Sequence, residues 1–204
     1  MNGSHSRDRI LSRLRQAPSA ASRAPANPLS PVHGDPTRFR QLARDNHIHC
    51  EHCDEVTQGL QRIRQWMQEQ ELPSAPVVSG PLLSDARAAG WEPGPLSDLR
   101  RPHSVWINQS WCAVADTGTL VVLSRPEAPG YANFLAEHHW LLLDAGRILA
   151  TKNDVWAQWR VEHDDTLPPA VHIISGPSRT ADIEQTLQLG AHGPRSLNLM
   201  LVGR

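Results

Sequence analysis

The stretch from Val171 to Val202, VHIISGPSRTADIEQTLQLGAHGPRSLNLMLV, constrains the fold more than any other part of the chain. Val171, Ile173 and Ile174 make a β-branched run that Ser175-Gly176-Pro177 stops, the pattern of a short strand and a turn. Thr180 is placed to N-cap a helix, with Asp182 and Glu184 at the positive end of its dipole. Ile183 and Leu187 would mark the buried side of that helix, and Gly190 would end it. Leu197 to Val202 is then a near-continuous apolar run of strand length. Strand, helix and strand in about 30 residues predict a βαβ crossover, which requires a parallel sheet buried on both faces.

The loop Gly176-Pro177-Ser178-Arg179-Thr180 would then join a strand's carboxyl end to a helix's amino end. Ligands of open α/β sheets bind at that end, and free amides there suit an anion. Arg179 would add a permanently charged fork, and Ser178 and Thr180 two hydroxyls. Capping accounts equally well for the hydroxyls, with Arg179 paired to Asp182 or Glu184, so both readings stand.

A second polar turn, Ala115-Asp116-Thr117-Gly118-Thr119, feeds the strand Leu120 to Leu123. Together with SGPSRTADIEQTLQLGAHGPRSL this segment resembles the LUD-domain family, in its lactate-utilization protein C group. The resemblance is strong over 115–124 and 175–196 and looser over most of the remaining chain. It departs at Asn108-Gln109-Ser110-Trp111-Cys112, where the family carries small residues; that bulk would reshape a neighbouring pocket. The resemblance implies a three-layer α/β sandwich around a mostly parallel sheet, as in the NagB/RpiA/CoA-transferase-like group. It also implies action beside iron–sulfur oxidoreductase partners that convert L-lactate to pyruvate. An acidic residue in the turn, here Asp116, and a histidine before a strand, here His139, become candidates to handle a substrate proton. Thr117, Gly118 and Thr119 would face Gly176, Ser178, Arg179, Thr180, Asp182 and Glu184 across a small carboxylate or phosphate.

Elsewhere the chain divides at its prolines. Ser6 to Gln16 spaces Ile10, Leu11 and Leu14 as a short amphipathic helix suited to docking, although an organelle transit peptide has a similar look apart from Asp8. Prolines 18, 25, 28, 31 and 36 make the following segment a linker, so residues 1–36 read as an appendage and 37–204 as the α/β domain. Val56, Leu60, Ile63 and Met67 predict a helix from Asp54 to Leu72. His103 to Ile107 reads as strand, Trp111 with Val114 as a helical turn, and Tyr131 to His138 as helix ahead of a strand from Trp140. Asn153 or Asp154 caps a helix through Arg160.

His47-Ile48-His49-Cys50-Glu51-His52-Cys53 holds zinc-type donors, but a strand there would turn Cys50 and Cys53 to opposite faces. No second such cluster completes a site, so no metal is expected, and a metal- or redox-sensing module is the weakest of three functional classes. A net charge of −1 gives no general field toward nucleic acid or anionic lipid. No apolar run approaches the roughly 20 residues of a membrane span, and three cysteines without a signal peptide suggest a cytoplasmic protein. Three cysteines cannot ligate a four-iron cluster and no G-x-G-x-x-G is present, so no cofactor is expected in this chain; iron–sulfur clusters would sit in a partner. The expectation is a subunit of a lactate-oxidising complex, with a stand-alone enzyme or binding protein for a sugar phosphate, acyl-CoA or carboxylate as the alternative.

Overall fold

The computed structural model describes residues 7, 9, 11–13, 30–163, 168–181, 187–189 and 192–203, with backbone alone for 179–181 and 187–189. Leu11, Ser12 and Arg13 are helical and exposed. Residues just ahead of 37 are tied to the fold. The Ala150 amide donates to the Val32 carbonyl at 2.8 Å and the Gly34 amide to the Ile148 carbonyl at 2.8 Å, so the end of the proline-rich segment is bound to the fold. Asp35 then caps α1 (Pro36–Asp45), accepting from the Thr37 amide at 2.8 Å, and Pro36 takes the first-turn position that needs no amide.

Two apolar strands form the centre. β6 (His138–Asp144) and β11 (Ser196–Val202) lie side by side in a five-stranded parallel sheet of order β1 (Ile48–Cys53), β11, β6, β3 (Val105–Gln109), β2 (Val77–Val78). Leu141, Leu143, Leu197, Leu199 and Leu201 line one face and Trp140, Leu142 and Met200 the other. The second face is covered by α2 (Val56–Glu69) and α3 (Leu83–Ala88), through Leu60, Ile63, Met67 and Ala86. The sequence spacing anticipated α2 because those apolar residues recur every third or fourth position.

The first face is covered by Phe39 and Ala43 of α1 and by a second, four-stranded sheet. Its order is β7 (Ile148–Leu149), β4 (Cys112–Val114), β5 (Thr119–Leu123), β8 (Val171–Ile174), with β4 parallel to β7 and β5 antiparallel to both neighbours on either side. Helices, parallel sheet, and α1 with the mixed sheet make the three layers. The outer face of the mixed sheet is closed by α4 (Lys152–His163), whose Val155 meets Cys112, Val114, Val121 and Leu149.

Three local expectations are corrected. Residues 171–174 do not enter the parallel sheet but pair antiparallel with β5, so no βαβ crossover joins them to β11. The helix expected from Thr180 is replaced at both ends by a hairpin, β9 (Arg179–Ala181) against β10 (Leu187–Leu189). The Leu-Gln-Leu alternation of β10 has strand period, and it outweighs the spacing of four between Ile183 and Leu187. Trp111 to Val114 is no helical turn either: the chain leaves the parallel sheet at Gln109 and enters the mixed sheet at Cys112. Ser110 makes that crossing while buried, its amide donating to the Leu142 carbonyl at 2.8 Å and its hydroxyl lying 2.8 Å from the Cys112 carbonyl and 3.0 Å from that of Val121. Its amide thus binds the parallel sheet and its hydroxyl the mixed sheet, so the crossing residue keeps its own polar groups paired while buried.

The cysteine–histidine stretch is strand, as the alternation predicts. Cys50 packs with the α1-side cluster and Cys53 in the α2-side cluster, so the two thiols face apart across the sheet. Burial lifts the Cys50 thiol to about 11 against the opposing pull of Arg44 and Arg40. Two pKa units remove about 99% of the reactive thiolate. Iodoacetamide at pH 8 should therefore alkylate Cys50 about 100-fold more slowly than a free cysteine, read by mass spectrometry; labelling at the free rate would contradict the packing.

Candidate functional site

The turn between β4 and β5 is held from above by α1. Gly118 adopts φ +62, and a Cβ there would stand 2.5 Å from the Ala43 amide nitrogen, so no other residue fits without displacing the helix. Asn46, just past α1, donates to the Thr117 carbonyl at 2.9 Å. Thr119 Oγ1 lies 2.9 Å from Ser175 Oγ, which joins this turn to the segment after β8. The two stretches that resemble one family are thus neighbours. Beyond them the Ser178 amide donates to the Pro194 carbonyl at 2.9 Å.

The residues expected to bind an anion are only partly assembled. Gly176 takes φ +119 in the loop and Ser178 is half-buried beside it. Arg179 and Thr180 sit in strand β9, not at a helix start, so the array of free helix amides expected there is absent. Asp182 and Glu184 lie outside the described residues. Asp116 is exposed, its amide bound to the Ala150 carbonyl at 3.1 Å and its carboxylate without a hydrogen bond or ion pair among the described residues. His139 lies inside β6, in register between Leu197 and Trp106, and is 1% exposed with neither ring nitrogen hydrogen-bonded. Burial pushes its pKa down to about 3, which keeps the ring neutral.

A better-formed recess opens at the carboxyl end of β3. It holds about 250 Å³ and is lined by Asn108, Gln109, Trp111, Arg125, Arg147, Glu162 and His163 among others. One wall is an internally satisfied cluster. Arg147 donates through Nη2 to both Glu162 oxygens at 2.7 and 2.9 Å and through Nε to the Trp111 carbonyl at 2.6 Å. Trp111 Nε1 donates to Glu162 Oε2 at 3.1 Å, and the Arg147 guanidinium lies 5.4 Å from the centre of the Trp111 ring. Partial burial works against the Glu162 carboxylate, but hydrogen bonds from Gln158, Arg147 and Trp111 together hold its pKa below the ordinary value. His163 stacks on Trp159 at 3.7 Å.

The Arg147 charge is therefore neutralised and Arg125 is not. Arg125 is exposed and its guanidinium makes no hydrogen bond or ion pair among the described residues. The floor is Asn108, buried, its Oδ1 accepting from the Gln109 amide at 2.7 Å and its Nδ2 3.5 Å from Asn133 Oδ1. One uncommitted guanidinium beside amide side chains suits a small carboxylate or another compact anion. The bulky 108–112 segment marked this place in the sequence. Arg125, Arg147 and Glu162 were missed because no local motif links them.

Residues 104–202 match the family model of the LUD domain. An uncharacterized protein of Neisseria meningitidis is 40% identical over 92 residues, which are 45% of this chain and 39% of that protein. Proteins called lactate utilization protein C are 28% identical in Geobacillus thermodenitrificans, over 52% of this chain and 45% of theirs, and 30% identical in an Exiguobacterium, over 54% and 49%. The match spans less than half the length of each of these relatives. The crystal structure of a DUF162 family protein from Deinococcus radiodurans superposes with a TM-score of 0.56 at 17% identity, over 82% of this chain and 95% of that one, and so shares the fold.

Two stability measurements follow from this geometry. Gly118→Ala should cost about 2–4 kcal/mol in urea unfolding, from the left-handed backbone and the collision with α1 combined. For His139, the unfolded chain takes up a proton below its ordinary 6.5 while the native chain holds out to about 3. Its contribution is thus intact above pH 6.5 and falls by about 1.4 kcal/mol per pH unit between those values. His139→Leu should flatten the acid limb by that slope between pH 6 and 4, and an unchanged limb would refute the assignment.

Proposed function

We propose that this protein, a LUD-domain protein over residues 104–202, acts in lactate utilization as a subunit that holds a small carboxylate while partner proteins take the electrons. The observation that carries this reading is positional. Asn108, Gln109, Trp111, Arg125, Arg147, Glu162 and His163 all fall within the segment that matches the LUD domain, and relatives matching the same part are named for lactate utilization.

Lactate oxidation to pyruvate removes two electrons and two protons from one carbinol group, one proton from its C–H and one from its O–H. The electrons pass to iron–sulfur partner subunits in the cytoplasm, which carry the redox chemistry. Arg125 binds the carboxylate as a forked donor, and Asn108 with Gln109 orients the adjacent hydroxyl or keto oxygen. Neither candidate proton handler lines this recess: exposed Asp116 lies in the turn before β5, and buried His139 keeps β6 in place as a neutral core side chain. The free guanidinium of Arg125 also supports the alternative, a stand-alone enzyme or binding protein for an anionic metabolite.

Arg125→Ala should weaken L-lactate or pyruvate binding by about 1.5–3 kcal/mol, measured by calorimetry, with an unchanged melting temperature. The subunit reading is tested by deleting the gene in its host and growing it on L-lactate as sole carbon source. Loss of growth restored by the intact gene supports it. Normal growth with unchanged lactate-dependent respiration retires it, and turnover of an anionic metabolite by the purified chain alone would favour the alternative.

A further inference from the structure

At the opposite end of the parallel sheet, where β3 and β6 begin, three side chains from two loops converge. The strands run side by side with Val105 opposite His138, which brings the residues just before them together. His103 adopts φ +59, a left-handed conformation uncommon for a side-chain-bearing residue, and its amide donates to Glu137 Oε2 at 2.7 Å. That fold-back leaves His103 Nδ1 3.6 Å from the same carboxylate oxygen. His138 follows directly, and one donor atom from each of His103, Glu137 and His138 lies within 4.8 Å of the others.

We propose that His103, Glu137 and His138 bind one divalent transition-metal ion, Zn²⁺ by preference, at the amino ends of β3 and β6. Two imidazole nitrogens and one carboxylate oxygen are a donor set suited to zinc. Tetrahedral bonds of about 2.0–2.2 Å place donors roughly 3.3–3.5 Å apart, so the His103–Glu137 pair already has nearly the right separation. The remaining donor needs only side-chain rotation.

The surroundings hold the ligands as a metal site requires. Arg195 Nη1 donates to Glu137 Oε1 at 2.8 Å, and the Arg195 amide donates to the Glu137 carbonyl at 2.8 Å, which leaves Oε2 directed at the histidines. Ser196 Oγ, 2.8 Å from His138 Nδ1, fixes that ring in the manner of an outer-sphere partner. Ser104 ties the two loops: His138 N–H donates to its carbonyl at 3.0 Å and Glu137 N–H to its Oγ at 3.2 Å. Three protein ligands leave a coordination position open. Glu137 borders a recess of about 610 Å³ that Arg100, Arg101 and Arg195 also line, so an anion completing the metal's coordination would meet guanidinium groups. No local motif announces the site, because His103 stands 34 positions before Glu137.

This site stands apart from the carboxylate recess and does not depend on the lactate reading. The test is titration of the EDTA-treated full chain with Zn²⁺ by calorimetry, and with Co²⁺ by visible absorption. One saturable ion per chain and ligand-field bands of low-symmetry Co²⁺ are expected. His103→Ala, a change at an exposed side chain, should lower affinity by at least about tenfold, while His49→Ala, at another exposed histidine beside a glutamate, should not. Absence of saturable binding, or equal affinity in the wild type and His103→Ala, overturns the proposal.

Discussion

The structure depends on burying β6 and β11 from both sides. Each carries leucines on one face and tryptophan, leucine or methionine on the other, so neither can stand at a solvated edge or under a single cover. Helices close one face in the usual manner of parallel sheets. The other is closed by a second sheet together with α1, and this needs the chain to pass from one sheet to the next without stranding its backbone. Ser110 solves that problem with one amide and one hydroxyl, bonding to both sheets from a fully buried position.

The same crossing positions the carboxylate recess. Because the chain turns out of β3 at Gln109, Asn108 ends at the floor and exposed Gln109 at the rim, with Trp111 just beyond. Tryptophans explain much of the remaining packing. Trp106 and Trp140 are fully buried in the parallel sheet, Trp66 packs edge-on to Trp140 at 5.3 Å, and Trp111 packs edge-on to Trp159 at 5.2 Å. That outer wall commits Arg147, Glu162 and the Trp111 ring nitrogen to one another, and selectivity at the recess falls to the residues this cluster does not consume.

What the sequence made legible was local and periodic. α2 followed from apolar residues at three- and four-residue intervals, and reading 47–52 as strand gave the opposed facing of Cys50 and Cys53. The family signatures were found as neighbours because both lie against the same turn, through Thr119 and Ser175. What failed was non-local. The runs at 171–174 and 197–202 look alike as sequence, yet they enter different sheets, because strand choice depends on partners more than 40 positions away, as with Leu120 opposite Ile174. Residues 179–189 failed by competition between two periods over a span too short to decide it. The Arg147–Glu162 pair, 15 positions apart and outside any motif, was invisible until the sheets were stacked.

The place of β11 has a temporal consequence. It is the last strand to be synthesised among those described, yet it lies inside the sheet, with β1 on one side and β6 on the other. His52 touches the carbonyl of Gly203, 151 positions later. On a translating ribosome β1 and α2 emerge early with their apolar sides complete, and no partner strand exists to receive them. Closure of the sheet waits for the C-terminal segment to leave the exit tunnel, so this domain folds late, from a nascent chain that holds its unpaired edge open to chaperones in the meantime.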